Sequence, residues 1–328
     1  MCGFCGWSLV DSAAALLVSI PSRKTDEHQA RNEISQEVAA ATQHATEDQP
    51  QRATSAVPFL RWAGSKRWFV PTARKLLPER INAYYEPFVG SGATFFGVAD
   101  AVREATLSDV IPSLVNTYCA VRDDPVAVHE LLLTWDVNEE RYYSLRADTP
   151  EPRTVYEAAR FLYLNRFGFN GLYRENLAGR FNVPYGRPKN TTIIPLEVLT
   201  SASAVLVGVK ILERDFEESI EGAKEGDFVF LDPPYASPRH RSGFTDYNAK
   251  MFGWLDQQRL ARVFRNLSDR GVHAVLLNDD DAAVRDLYSE FMGKPLVRHS
   301  SIAASALERK PRSEVVIVSE SLNSRFVL

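Results

Sequence analysis

The sequence predicts an α/β fold built on a largely parallel sheet, and three observations carry that expectation. Short apolar runs ending in Gly or Asp alternate with helical patterns along most of the chain, as strands joined by crossover helices require. One of these runs leads straight into Gly90-Ser91-Gly92 and then a helical pattern, the way such a sheet presents backbone amides to a ligand. Between the second and third runs, residues 112–194 read as mostly helical, and an insertion of that length is normally a functional subdomain.

In chain order, residues 1–57 are rich in Gln, Glu, Ala, Thr and Ser, with no sustained apolar period beyond Pro21. Such a stretch cannot bury enough surface to offset chain entropy and is expected to be a disordered extension. Its apolar run from Ala13 to Ile20 is too short to span a membrane and follows Asp11 where a signal peptide would be basic. Folded structure is expected from Pro58, where FLRWAGSKRWFV concentrates aromatic and apolar residues. The expected strands are Ala83 to Phe88, Ala105 to Ser108, Ala204 to Leu212, Phe228 to Leu231 and Val272 to Leu277. Leu296 to Ser300 and Val315 to Ser319 follow as a terminal hairpin, giving seven strands.

Composition is that of an ordinary globular chain, 45% hydrophobic and 24% charged over 328 residues. A formal net charge of −4 taken alone argues against a nucleic-acid partner. Its distribution argues otherwise. Residues 1–57 hold −3 of it, whereas residues 151–190 carry Arg153, Arg160, Arg166, Arg174, Arg180, Arg187 and Lys189 against three glutamates, a local +4. Three cysteines make no disulfide framework and suit a reducing, intracellular setting. Cys2 and Cys5 have half the spacing of a zinc site but no second pair, so no metal is expected.

The chemistry concentrates in two strand ends. A dinucleotide fingerprint would place a third glycine at position 95, where Phe95 stands, which disfavours a pyridine-nucleotide enzyme. Gly90 and Gly92 remain candidates for a cofactor loop. Asp109, at the end of the next strand, can accept hydrogen bonds from both hydroxyls of a ribose, or cap the helix that follows. The other strand end is Phe228-Val-Phe-Leu-Asp232-Pro233-Pro234-Tyr235. Two successive prolines fix φ and remove two amide donors, leaving the Asp232 carboxylate and the Pro233 carbonyl as rigid acceptors. Such a pair suits an amine: holding both hydrogens of an exocyclic NH2 draws its lone pair out of conjugation. Tyr235 offers a π face on which a base removed from its stack can rest.

With those motifs in hand, the chain resembles the Dam-type DNA adenine N6-methyltransferases from Phe59 to Ser319. The stretches that carry the resemblance are FLRWAGSK, EPFVGSGATFF with LSDV, FLYLNRFGFNGLYRENLAGRFNVPYGR, FLDPPY and SSIAASALERKPRSEVVIV. Ser65 stands where many members have Gly, and residues 1–57 have no counterpart. The resemblance implies a Rossmann-like, seven-stranded methyltransferase sheet interrupted by a mostly helical DNA-recognition domain that bears a β-hairpin. It implies S-adenosylmethionine as cofactor, met by Trp62 and Lys66, with Asp109 on its ribose, Asp215 and Phe216 beside its adenine, and Asp232 near both cofactor and target amine. On the DNA side it implies Phe169 and Asn170, which open the duplex and contact bases, together with Arg61. Leu172 to Arg174 and Phe181 to Pro184 read as the hairpin strands, with Arg174 expected to read guanine through its O6 and N7.

The expected organisation is therefore a catalytic domain of residues 58–111 and 195–328 with a target-recognition domain of residues 112–194 inserted in it. The expected reaction is methylation of N6 of a flipped adenine in double-stranded DNA, within GATC, by a cytoplasmic monomer of bacterial or phage type. A cognate restriction endonuclease acting separately is compatible with this reading. N4-cytosine methylation and a catalytically inactive DNA-binding regulator remain open alternatives at this point.

Overall fold

Among the described residues seven strands alternate with helices: β1 (Tyr84–Glu86), β2 (Ala105–Asp109), β3 (Lys210–Glu213), β4 (Phe228–Leu231), β5 (His273–Asp279), β6 (Met292–His299) and β7 (Pro311–Val318). The computed structural model describes residues 56–176, 178–236, 252–299 and 311–326. All but the last two residues of the expected extension lie outside the described residues, as does the first part of SSIAASALERKPRSEVVIV, up to Lys310.

The strands form one sheet in the order β3-β2-β1-β4-β5-β7-β6. The first five positions are parallel, with Tyr84 of β1 opposite both Ala105 of β2 and Phe228 of β4. β4 is buried along its whole length, which is why it reads as a continuous apolar run rather than an alternating one. The terminal hairpin forms as expected but is threaded: β7 pairs antiparallel with β5 on one side and β6 on the other.

The described α-helices are α1 (Val70–Leu76), α2 (Ala93–Val98), α3 (Pro112–Asp123), α4 (Pro125–Leu133), α5 (Glu139–Ala147), α6 (Val155–Phe167), α7 (Leu196–Leu206), α8 (Phe216–Ser219), α9 (Trp254–Asp269) and α10 (Ala282–Leu287). α6 starts where the Thr154 side chain accepts from the Glu157 N–H, a cap that satisfies one orphan donor. It then buries Ala158, Ala159, Phe161, Leu162, Tyr163, Leu164 and Phe167. α3, α4 and α5 pack around it, and α3 also rests on β2 and β3, joining the helical insertion to the sheet.

Two local expectations are corrected. Ala204 to Leu212 is not one strand. Its first part ends α7, a helix that buries Leu199, Ala202, Val205 and Leu206 at helical spacing, and the chain turns at Gly208, whose φ is +71°, before β3 begins. The apolar run was the overlap of a helix stripe with a strand, which periodicity over a few residues does not separate. The expected hairpin strands Leu172 to Arg174 and Phe181 to Pro184 are likewise not regular strands. The chain doubles back through two isolated antiparallel bridges, Glu175 with Phe181 and Gly168 with Tyr185, while Asn176 bonds the Ala178 and Arg180 amides at the tip. Side-chain turn chemistry has replaced part of the ladder.

Candidate active site and nucleic-acid interface

β1 and β4 are neighbours whose chain connections leave in opposite directions across the sheet, the point at which an open α/β sheet forms a crevice at its carboxyl ends. β1 ends at Glu86 and leads into the glycine loop; β4 ends at Leu231 and leads into Asp232. The Lys66 Nζ crosses this crevice to Asp232 Oδ1 at 2.9 Å, with Lys66 only 4% exposed and Asp232 19%. The same nitrogen donates to the Gly64 carbonyl at 2.9 Å and lies 5.0 Å from the Tyr235 ring centroid. A lysine this buried stays only where a carboxylate and further acceptors replace its water. Pro233 is buried behind Asp232, and Pro234 and Tyr235 are half-buried. Lys66 of FLRWAGSK and Asp232 of DPPY, 166 positions apart in sequence, thus meet in one cluster.

The glycine loop is shaped by what surrounds it. Gly90 has φ +46° and a side chain there would meet the Trp62 ring at 2.7 Å; Gly92 has φ +64° and would meet the Tyr118 hydroxyl at 2.7 Å. Both positions demand glycine on conformational and steric grounds. Ser65 and Ser91 share a hydrogen bond of 2.9 Å, so FLRWAGSK is fastened to the loop. Asp109 accepts from the Gly90 N–H at 3.3 Å and the Ile111 N–H at 3.2 Å. Burial pushes its carboxyl up to about 6, against the pull of those amides and that of Val110.

Asp215 and Phe216 sit at the end of β3 and the start of α8, on the same edge of the sheet but in a different set of interactions. Asp215 Oδ1 accepts from the Glu217 N–H, and its two oxygens take both Arg259 amino groups at 2.8 and 2.7 Å. Oδ1 is therefore filled, and one lone pair of Oδ2 remains for another donor. Phe216 is 2% exposed, stacked on Phe88 at 5.3 Å and covered by the Arg259 guanidinium at 4.2 Å.

The residues expected on the DNA side gather around one turn. Phe169 is 42% exposed, its N–H bonded to the Pro184 carbonyl, and Asn170 is held at φ +55°, an uncommon left-handed conformation for a residue with a side chain. The exposed Arg61 packs its Cβ where Gly171 leaves room, and Leu172 follows, half-buried. Arg174 donates through Nε to Asn182 Oδ1 at 2.7 Å and through Nη2 to the Asn182 carbonyl at 3.2 Å. Asn182 thereby occupies the side edge of the guanidinium and leaves its Nη1–Nη2 end edge for a partner.

Sequence reasoning missed three contributors. Glu86 is 3% exposed and accepts through Oε2 from the Tyr84 hydroxyl at 2.7 Å and the Phe95 N–H at 3.0 Å. Burial pushes its carboxyl up to about 8; the Tyr84 and Phe95 bonds hold it down, and the Asp232 charge pushes it further up. An acid closing a strand just before Pro87 was the available signal. Tyr118 donates to the Gly90 carbonyl at 3.0 Å from a helix assigned to the insertion, and Arg259 reaches Asp215 from α9; no local pattern announces either. Among the described residues no cluster of three or more His, Cys, Asp or Glu could hold a metal ion, and no helix is long and apolar enough to cross a membrane.

Known proteins are similar to this sequence over most of its length. The family model of the D12 class N6 adenine-specific DNA methyltransferases matches residues 62–302. The type II methyltransferase M1.LlaDCHI of Lactococcus lactis subsp. cremoris is 36% identical over 269 residues, covering 79% of this chain and 94% of that protein. The type II methyltransferase M.MjaIII of Methanocaldococcus jannaschii is 35% identical over 274 residues, covering 77% and 95%. The DNA adenine methylase of Haemophilus influenzae is 30% identical over 272 residues, covering 80% and 93%. A match from Trp62 through the glycine loop, the turn from Phe169 to Arg174 and Asp232 leaves one conclusion: the chain belongs to the D12 class N6 adenine-specific DNA methyltransferases.

Proposed function

We propose that this enzyme transfers a methyl group from S-adenosylmethionine to N6 of an adenine flipped out of double-stranded DNA, within GATC. The observation that carries the reading is the buried Lys66–Asp232 ion pair at the strand switch, with the Tyr235 ring beside it. The residues present fit the cofactor: a glycine loop shaped by Trp62 and Tyr118, an Asp109 carboxylate beside it for the ribose hydroxyls, and Lys66 at the neighbouring strand end. Asp215 and Phe216 would bound its adenine.

When bound, the cofactor supplies an electrophilic methyl group. The chain's own work is then to hold the amine. Lys66 fixes Asp232 through Oδ1, and the Asp232 carboxylate would accept one amine hydrogen while the Pro233 carbonyl accepts the other. Tyr235 stacks on the displaced base. Asp232 would also accept the proton that the amine must lose.

On the DNA, Phe169 and Asn170 would occupy the space of the flipped base. Arg174 would read a guanine through the edge that Asn182 leaves open, flanked by Leu172, Pro184 and Arg61. Residues 112–194 would form the recognition domain and residues 58–111 and 195–328 the catalytic one, acting as a cytoplasmic monomer. The names of the type II relatives extend the reading to a protective methylase whose endonuclease acts separately.

Sequencing modified adenines in DNA from cells that express the chain tests the reading. N6-methyladenine in both strands of GATC is the expected result. Methylation confined to another sequence refutes the target, and N4-methylcytosine refutes the chemistry.

A further inference from the structure

The Trp62 and Tyr173 rings stack with centroids 5.7 Å apart and planes 22° from parallel. Tyr173 lies between Leu172 and Arg174 on the recognition turn, and its ring also meets Phe161 of α6 and Phe181 of the returning arm. Trp62 lies against Gly90 of the glycine loop. One residue earlier the segment is fastened to the end of α6. The Arg61 N–H donates to Asn165 Oδ1 at 2.9 Å, the Arg61 carbonyl accepts from Asn165 Nδ2 at 2.6 Å, and Arg61 Nη1 donates to the Arg166 carbonyl at 2.9 Å. Four residues after Trp62, Lys66 reaches Asp232. The segment 61–66 is therefore a short rigid piece with the recognition turn at one end and the glycine loop at the other.

We propose that Tyr173 is a positioning residue for the cofactor pocket, supplied by the DNA-reading turn: its ring sets Trp62 against the glycine loop, so DNA and cofactor change each other's affinity. The proposal rests on the reading above, in which Trp62 and the glycine loop face the cofactor. Its physical content is that the arm carrying Arg174 cannot shift on DNA without moving a ring whose neighbour lines the pocket. Thermodynamic reciprocity then requires the same factor in both directions.

The test uses the full chain and S-adenosylhomocysteine as probe, titrated by calorimetry alone and with a saturating duplex carrying whatever sequence the enzyme is found to methylate. In the unaltered enzyme the duplex should change the probe's Kd by at least about fivefold. In Tyr173→Leu that change should fall to about twofold or less, while the free variant still binds probe saturably; Tyr173→Phe, which keeps the ring, should restore it. In turnover, Tyr173→Leu should raise KM for the cofactor and leave kcat at saturating cofactor within about threefold, a split that general destabilisation does not produce. Tyr173→Met serves the same purpose if the leucine variant does not fold. Retention of the full DNA effect in either variant, or its absence in the unaltered enzyme, overturns the proposal. A Trp62→Ala enzyme with unchanged probe affinity overturns it by a different route, because it refutes the placement of Trp62 on the cofactor side.

Discussion

Glu86 should make the stability of this enzyme fall with rising pH, and Glu86→Gln should remove that dependence. In the folded chain burial holds the carboxyl protonated up to about 8, whereas in the unfolded chain it titrates near its ordinary value of 4.5. Between those values the folded state carries a proton that the unfolded state has released, so the free energy of unfolding declines by about 1.4 kcal/mol per pH unit. The stabilisation is fully present below the unfolded value and is lost as pH rises through the folded one. Across the window the loss sums to about 5 kcal/mol, a large share of the 5–15 kcal/mol typical of a domain. A carboxamide keeps an oxygen for the Tyr84 hydroxyl and the Phe95 N–H and has no proton to lose. Urea unfolding at pH 5, 6, 7 and 8 should therefore give curves for the two proteins that diverge, with the variant gaining on the parent at each step. Parallel curves would refute the reasoning, since they would mean that Glu86 is ionised in the folded chain throughout.

Four further variants test the site. Asp232→Ala should abolish methylation, by about a hundredfold or more as expected for loss of a group that acts at the reacting centre, while duplex binding measured by fluorescence anisotropy persists. Arg174→Ala should relax preference at one base pair by about 1–3 kcal/mol with a smaller loss of overall binding, and Asn182→Ala should shift selectivity at the same base pair because it releases the guanidinium; methylation rates on single-base variants of the target, at fixed salt, check both, and a uniform loss makes Arg174 a phosphate clamp. Affinity for S-adenosylhomocysteine should fall as pH drops through about 6, where Asp109 takes up a proton, and Asp109→Asn should bind weakly with a flat pH profile in the same titration.

The elements that could be read from the sequence are those whose signal is local. FVFLDPPY announces a buried strand and the rigid acceptors at its end within eight residues, and the glycine loop announces itself by Gly90 and Gly92 beside an apolar strand. The failures share a cause as well. Ala204 to Leu206 has the same apolar content in a helix stripe as in a strand, and only its packing on α3 and α4 decides between them. Glu86 looks like any acid at a strand end until β4 brings Asp232 beside it. Arg259 binds Asp215 across 44 residues, and nothing in the spacing of either residue predicts the other. Chemistry made by one segment was legible; chemistry made by the meeting of two was not.

The threading of β7 between β5 and β6 bears on the order in which the molecule can be assembled during synthesis. β5 carries the buried Ala274, Val275, Leu276 and Leu277, and its outer edge pairs with a strand that begins at Pro311. Until Val315–Val318 leaves the ribosome, that edge offers unpaired amides and carbonyls next to an apolar face, the arrangement most prone to pairing with another chain. Final closure of the sheet is thus a late event of long sequence reach, and a nascent chain stalled before Pro311 is a candidate for aggregation even though every residue of the glycine loop and of DPPY has already been made.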